Sequence, residues 1–325
     1  VTTNITIHTR SLGKTGIQIT PIGLGVMDFS GGGGLIGRVF PVIPQEEKNA
    51  IIKAALDGGI NWFDTAELYG KGVSEQALAT ALKAAGKSDD EIILATKWFP
   101  LFRTARNIGR TIQDRQRFLD GYSIDLYMVH QPWSFSSPEA EMDAMADLVE
   151  AGKIRSVGVS NFSAIRMRRA HAQLEKRGLP LAANQVEYSL LQREIETNGI
   201  LDAAQELGVT IIAYTPLASG LLTGKYHKNP ELLQNRSRLN KTERARRNME
   251  RSRPVVAALE EIASQHGATP AQVALNWLIH FQGETVVTIP GATKPGQAAE
   301  SAGAMGFRLT DDQMARLDEL TRQFR

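Results

Sequence analysis

The chain is 325 residues long, with 37 Lys and Arg against 35 Asp and Glu and no Cys, enough to bury a large core in one barrel domain or two ordinary domains. A formal net charge of +2 and a pI near 8.8 are too balanced to argue for nucleic acid or an anionic membrane as a partner. Lack of Cys excludes a disulfide framework and a thiolate zinc site, and no apolar run approaches the length of a membrane span.

Val1 to Arg10 alternates polar and β-branched residues without the apolar core of a secretion signal, so the expected location is cytoplasmic. From Ser11 to Thr20 the chain reads as a small hairpin, with Gly13 and Gly16 bracketing its turn. Pro21 to Met27 follows as a first buried strand. Asp28 to Pro44 carries Gly31 to Gly34 and no periodicity, a loop of unusual length. No Lys-Ser/Thr pair follows those glycines and no Gly-x-Gly-x-x-Gly opens a helix, which favours a lid over a phosphate loop.

Beyond that loop, strand and helix patterns alternate. Strands are expected at Ile60 to Phe63, Glu91 to Lys97, Ser123 to His130, Ile154 to Asn161, Ala182 to Tyr188, Val209 to Tyr214 and Val286 to Pro290. Helices are expected at Gln45 to Gly58, Ser74 to Ala85, Ala105 to Leu119, Pro138 to Glu150, Ala164 to Arg177 and Ile200 to Leu207. A long polar segment, Thr215 to Arg253, precedes helices at Val255 to His266 and Pro270 to His280; Gln297 to Ala304 and a helix capped at Thr310 end the chain. Eight strands, with no linker-like break between them, point to a single α/β domain over residues 1–325. Its expected form is a (β/α)8 TIM barrel with an N-terminal β-hairpin and extra C-terminal helices.

Asp64, Lys97, His130, Asn161, Gln185 and Tyr214 stand at the ends of successive strands. Packing gives no reason for so many polar strand ends, and the C-terminal mouth of a barrel is where catalytic groups gather. A doubly wound open sheet, the alternative, would concentrate such groups at one switch point. A Lys97 ammonium rising from the wall needs a counter-charge, and Asp64 on the neighbouring strand is the natural one. Beside Tyr69, that ammonium would favour the phenolate and lower the phenol from its reference pKa of about 10, making it a general acid near neutrality. His130 adds a hydrogen-bond donor toward an oxygen that gains charge.

Phe63-Asp64-Thr65-Ala66-Glu67-Leu68-Tyr69-Gly70, Ala95-Thr96-Lys97, Val129-His130-Gln131-Pro132, Gly158-Val159-Ser160-Asn161-Phe162 and Ile289-Pro290-Gly291 together resemble the aldo-keto reductases, from the hairpin to the last helix. The resemblance implies a barrel that binds NADPH, or NADH, without a Rossmann domain and reduces a small-molecule carbonyl substrate to an alcohol. By it, Tyr69 protonates the carbonyl oxygen, Lys97 and Asp64 tune Tyr69, and His130 orients the carbonyl. Ser160, Asn161 and Gln185 are implied to meet the carboxamide and Tyr214 to stack on the nicotinamide, with Asp64 and Met27 also in contact with the coenzyme. Thr215-Pro216-Leu217-Ala218-Ser219-Gly220 and Lys225 resemble the pyrophosphate loop. Gly291, Thr293 and Lys294 open a helix whose N-terminus suits an anion, a 2′-phosphate included, and Glu300 is expected at the adenine. Gln297 and Ser301 depart from a branch with Arg and Asn there; Gln297 resembles the branch of bacterial reductases and potassium-channel β subunits.

That branch supplies the alternative reading, a redox-sensing subunit, against which His130 speaks because channel subunits commonly carry Asn there. A Schiff-base aldolase using Lys97 is a third, and it needs a neutral Lys that Asp64 would oppose. Trp98, Phe99 and Trp133 either wall an apolar substrate pocket or simply cover the barrel mouth. Lys241 to Arg253 reads as a solvated helix face, and Arg236 or Arg238 as a latch over the coenzyme phosphate. Substrate identity and oligomeric state have no signature in the sequence.

Overall fold

Each expected strand forms, and together they make one parallel sheet. A computed structural model describes the backbone of residues 8–32, 42–234 and 243–325 and their side chains outside 233–248. Strands β3 (Leu24–Gly25), β4 (Trp62–Asp64), β5 (Ile93–Trp98), β6 (Leu126–Val129), β7 (Ser156–Ser160), β8 (Leu181–Glu187), β9 (Thr210–Tyr214) and β10 (Val286–Thr288) lie side by side in chain order. Parallel bridges from Ile22 to Thr288 and from Gly25 to Gly291 join the first strand to the last. Gly23 N donates to Thr288 O at 2.8 Å and Gly25 N to Pro290 O at 3.0 Å, so the sheet closes into a (β/α)8 barrel. Closure depends on Gly23, where a Cβ would stand 2.3 Å from the Trp62 indole that fills the interior.

The hairpin of β1 (Arg10–Ser11) and β2 (Gln18–Ile19) plugs the N-terminal end. Its Leu12, Ile17 and Ile19 join Trp62, Leu126, Met128, Ile212 and Val287 in one buried interior cluster. Gly13, at φ +55°, donates its N–H to Thr210 Oγ1 at the start of β9 at 2.7 Å. A Cβ there would press to 2.5 Å from Ala182 O, so only glycine lets the turn sit this close to the barrel floor. With the floor filled, the opposite, C-terminal mouth is the end left for chemistry.

Helices follow the strands at Gln45–Asp57, Val73–Ala84, Arg106–Phe118, Pro138–Glu150, Ala164–Glu175, Ile200–Leu207, Pro270–Phe281 and Pro295–Gly303, with Asp311–Thr321 as the terminal addition. A second, larger apolar cluster lies between them and the strands. Thr310 caps the last helix, accepting Gln313 N while Gln313 Oε1 accepts Thr310 N.

Two expectations about connections are corrected. The helix expected from Val255 begins at Glu243 and runs through Pro254 to His266. A proline in the interior normally marks a helix start or break, and the Arg- and Glu-rich turns before it lack the apolar stripe that would reveal a helix. In the stretch read as a loop from Asp28, Met27–Ser30 is a 3-10 turn with Phe29 and Ser30 buried. Residues 33–41 of the stretch expected as a lid, Asp28 to Pro44, and the latch residues Arg236 and Arg238 lie outside the described residues. No helix among the described residues is long and apolar enough to cross a membrane.

Candidate active site

Parallel strands in register deliver their last residues to one rim. Asp64 ends β4, Lys97 stands one residue from the end of β5, His130 follows β6, Ser160 ends β7, Gln185 lies near the end of β8 and Tyr214 ends β9. Lys97 Nζ donates to Asp64 Oδ1 at 2.5 Å and to Thr65 O at 2.8 Å. Gln185 Nε2 donates to the other carboxylate oxygen, Asp64 Oδ2, at 2.9 Å. The polar chain continues around the rim: Ser160 Oγ donates to Gln185 O at 2.9 Å, Asn161 Nδ2 to Ser160 Oγ at 3.1 Å and Tyr214 OH to Asn161 Oδ1 at 3.0 Å. Six residues read separately from the sequence thus form one hydrogen-bonded belt, in which Asn161 takes the left-handed φ of +60° that asparagine tolerates better than most residues.

Tyr69 and His130 face each other inside this belt, ring centroids 5.6 Å apart and nearly perpendicular, with Lys97 Nζ 5.2 Å from the Tyr69 ring centre. Burial pushes the Lys97 ammonium pKa down while the Asp64 carboxylate pulls it back up. The expectation that Lys97 lowers the Tyr69 pKa is overturned. Burial, followed by the carboxylates of Asp64 and Asp28, pushes the phenol up, because the nearest cation is already in contact with a carboxylate. Burial and then Lys97 depress His130 to about 3, so its ring is neutral at pH 7. Its Nδ1 is buried with no hydrogen-bond partner among the described residues.

The two loops expected to hold a dinucleotide have distinct characters. Thr215, Ala218, Ser219 and Gly220 all have positive φ, +53°, +48°, +55° and +90°, a tight turn of the kind whose amides cup anions. Two of those amides are already used within the turn, Ala218 N to Thr215 O and Gly220 N to Leu217 O. Gly220 gives Lys225 room: a Cβ there would stand 3.1 Å from Lys225 Cε, and the ammonium lies 4.9 Å from the centre of the Tyr226 ring. Pro216 is buried and Leu217 packs on the core, anchoring the turn.

The expected 2′-phosphate receptor is self-satisfied, contrary to the free helix N-terminus read from sequence. Gln297 Oε1 accepts Thr293 N at 2.8 Å, Thr293 Oγ1 at 3.2 Å and Lys294 N at 3.2 Å, while Lys294 Nζ pairs with Glu47 at 2.7 Å. Gly291 lies against the Asp28 carboxylate, Met27 is exposed just beyond β3, and Glu300 is half-buried on the helix after Lys294.

Trp98 does not wall a pocket: its ring is fully buried in the cluster between barrel and helices, because it points outward from β5 while Lys97 points inward. Phe99 and Trp133 do stand at the mouth. Phe99 meets His130 at 6.0 Å and Trp133 at 6.4 Å, both edge-on. Two residues passed over in the sequence matter here. Asp28 helps set the Tyr69 proton affinity. Glu67 clamps the loop after β5 by accepting Phe99 N at 3.0 Å and Arg103 Nη1 at 2.7 and 2.9 Å. Glu67 lay in plain view three residues beyond Asp64, but its partners become neighbours only in the fold.

Residues 21–322 match the aldo/keto reductase family. The chain is 35% identical over 325 residues to aldo-keto reductase str7 of Strobilurus tenacellus, covering 98% of this chain and 93% of that one. It is 32% identical to the chloroplastic pyridoxal reductase of Arabidopsis thaliana, over 93% and 83% of the two chains. Among solved structures, the thermostable aldo-keto reductase Tm1743, in complex with the inhibitor epalrestat, superposes with a TM-score of 0.75 at 29% identity over 96% of this chain and 99% of its own. A matched family spanning nearly the whole chain and the closed barrel lead to one conclusion: the chain belongs to the aldo/keto reductase family and is an NAD(P)H-dependent oxidoreductase.

Proposed function

We propose that the protein reduces aldehydes and ketones to alcohols with NADPH, with Tyr69 as the proton donor; NADH is the possible substitute. The observation that carries this reading is the convergence of Tyr69, His130 and the Lys97–Asp64 pair inside one polar belt at the barrel mouth. Asn161, Ser160 and Gln185 offer the paired donors and acceptors a carboxamide needs, and Tyr214 offers a flat face, so the residues present fit a nicotinamide. When bound, the reduced dinucleotide supplies a hydride to the carbonyl carbon.

The chain's own groups do the rest. Neutral His130 donates a hydrogen bond to the carbonyl oxygen and orients it without competing for the proton. Tyr69 holds its proton at neutral pH and releases it to that oxygen as negative charge builds. Asp64 keeps Lys97 in place and charged beneath the phenol, and Gln185 fixes the carboxylate from the other side. The turn at 215–220 and Lys225 would meet the pyrophosphate. Gly291, Thr293 and Lys294 would meet the adenosine ribose, with Glu300 at the adenine.

Tyr69→Phe removes only the proton donor. Turnover of 4-nitrobenzaldehyde, followed by NADPH absorbance, is expected to fall at least ~10²-fold, with NADPH binding by fluorescence unchanged; full activity would reject the assignment. The same geometry speaks against the aldolase reading, since Asp64 at 2.5 Å favours a charged Lys97. Borohydride treatment with a carbonyl compound is expected to trap no adduct on Lys97.

A further inference from the structure

Exposed aromatic rings are unevenly distributed over the surface. All three exposed aromatic residues among the described residues, Phe102 at 79%, Phe135 at 73% and Trp133 at 52% exposure, lie on the two loops that follow β5 and β6. Those loops flank the active site, since β5 carries Lys97 and β6 leads into His130. Exposed rings scattered singly need no explanation, but three gathered on the two loops that flank a catalytic cleft do.

Ring contacts tie Trp133 to the site, and a backbone hydrogen bond ties together the two loops that carry Phe102 and Phe135. From His130 an edge-on contact of 6.0 Å leads to Phe99, and a second of 6.4 Å leads from Phe99 to Trp133. Further out, Phe102 and Phe135 pair at 6.4 Å, joined to the same loops by the hydrogen bond from Phe135 N to Arg103 O at 2.9 Å. The inner loop is held by the Glu67 clamp on Phe99 and Arg103. Phe102 also sits at φ +58°, a conformation unfavourable for a large side chain, and its ring is nevertheless turned to solvent. Strain of that kind stabilises nothing in the free protein. It does leave an aromatic face open on the loop that follows β5, the strand that carries Lys97.

We infer that Phe102 and Phe135, with Trp133, form a distal subsite for the tail of the substrate. The preferred substrates of the proposed carbonyl reduction are then aldehydes or ketones that carry a second aromatic ring beyond the one next to the carbonyl. The inner ring lies along Phe99 and Trp133, and the outer ring packs edge-on or offset against Phe102 and Phe135. The inference rests on the reductase reading for the identity of the reacting group, but the apolar tail site can be tested apart from it.

Trp133 supplies that separate test, because Trp62, Trp98 and Trp277 are buried and it alone of the four tryptophans is exposed. In the coenzyme-free protein, 4-phenoxybenzyl alcohol is expected to quench tryptophan fluorescence at concentrations at least tenfold lower than benzyl alcohol, and the quenching is expected to vanish in Trp133→Phe. In turnover, Phe102→Ala/Phe135→Ala is expected to raise KM for 4-phenoxybenzaldehyde about tenfold with kcat nearly unchanged, and to leave benzaldehyde kinetics as they were. Phe102→Gly keeps the backbone conformation and removes the ring. It should be at least as stable as the parent to urea and still raise KM for the two-ring aldehyde.

Equal effects of the double substitution on both aldehydes, or none on either, would overturn the subsite. So would a change of oligomeric state in size-exclusion chromatography with KM unaltered, which would assign the patch to a second copy of the chain instead. If Tyr69→Phe retained full activity while the Trp133 quenching persisted, the chemistry proposed above would fail and the tail site would stand.

Discussion

Lys97→Met tests whether the catalytic cation is held by charge pairing or by shape. The Lys97 side chain is 0% and that of Asp64 3% exposed, so neither charge is shielded by water. Methionine fills nearly the same volume but leaves the Asp64 carboxylate buried with, among the described residues, only Gln185 as a hydrogen-bond donor from a side chain. Stranding one partner of a buried pair costs roughly 3–5 kcal/mol, whereas replacing both by neutral groups of similar size is often close to neutral. Lys97→Met and Asp64→Asn should therefore each destabilise by about 3–5 kcal/mol, and the double variant by less than either single one. Urea unfolding of the four proteins at pH 7, with equal m-values checked, gives the coupling energy directly. Single costs that add to within about 0.5 kcal/mol in the double variant would refute the reasoning, since contact at 2.5 Å between buried charges cannot leave the two sites independent.

The reduction rate should stay flat from pH 6 to pH 9, because Tyr69 is raised above its ordinary pKa and His130 is lowered to about 3, so neither titrates in that range; a fall with an apparent pKa near 7 in stopped-flow hydride transfer would contradict both placements. Glu75, buried against Arg115 at 2.9 Å and hydrogen-bonded by Thr96, is raised by burial to about 7, so its protonated form favours folding: that contribution is complete below about 4.5 and lost as pH rises through about 7. Urea midpoints of the parent and Glu75→Gln should therefore diverge between pH 5 and 8, with the parent losing ground as pH rises, and parallel curves would remove Glu75 as the cause. Glu47→Gln frees Lys294, so NADP⁺ affinity relative to NAD⁺ should rise a few fold, the modest effect expected of a partly exposed ion pair; an unchanged ratio in fluorescence titration would show that Lys294 does not meet the 2′-phosphate.

Strand ends are legible in the sequence because a parallel barrel turns a one-dimensional pattern into a ring: a polar residue that closes an apolar run and faces inward emerges at the mouth. Asp64, Lys97, His130, Gln185 and Tyr214 all obey this, and their belt follows from parallel register. Loops obey no such rule. Glu67, Phe102 and Phe135 gain their meaning from contacts between two loops about thirty residues apart, and the helix from Glu243 was hidden behind Pro254. Trp98 was misplaced by a single step of strand alternation, which separates the barrel interior from the helix layer. The Tyr69 pKa differs from expectation for another reason: proximity to Lys97 can be foreseen, but the burial of the phenol, the pairing of that cation with Asp64 and the opposing pull of Asp28 depend on distances.

That reversal alters which direction of reaction the free site favours. A phenol must lose its proton to an oxygen that is becoming an alkoxide, and an alkoxide is far more basic than any phenolate, so a raised Tyr69 pKa still leaves the transfer downhill once hydride has arrived. Alcohol oxidation needs the opposite, a phenolate present before reaction, and burial together with Asp64 and Asp28 keeps that species scarce at neutral pH. Neutral His130 adds to the asymmetry, since it can donate to a carbonyl oxygen without first shedding a proton. Oxidation should therefore climb with pH while reduction does not, and the burial of Tyr69, followed by the carboxylates of Asp64 and Asp28, sets the difference rather than its proximity to Lys97.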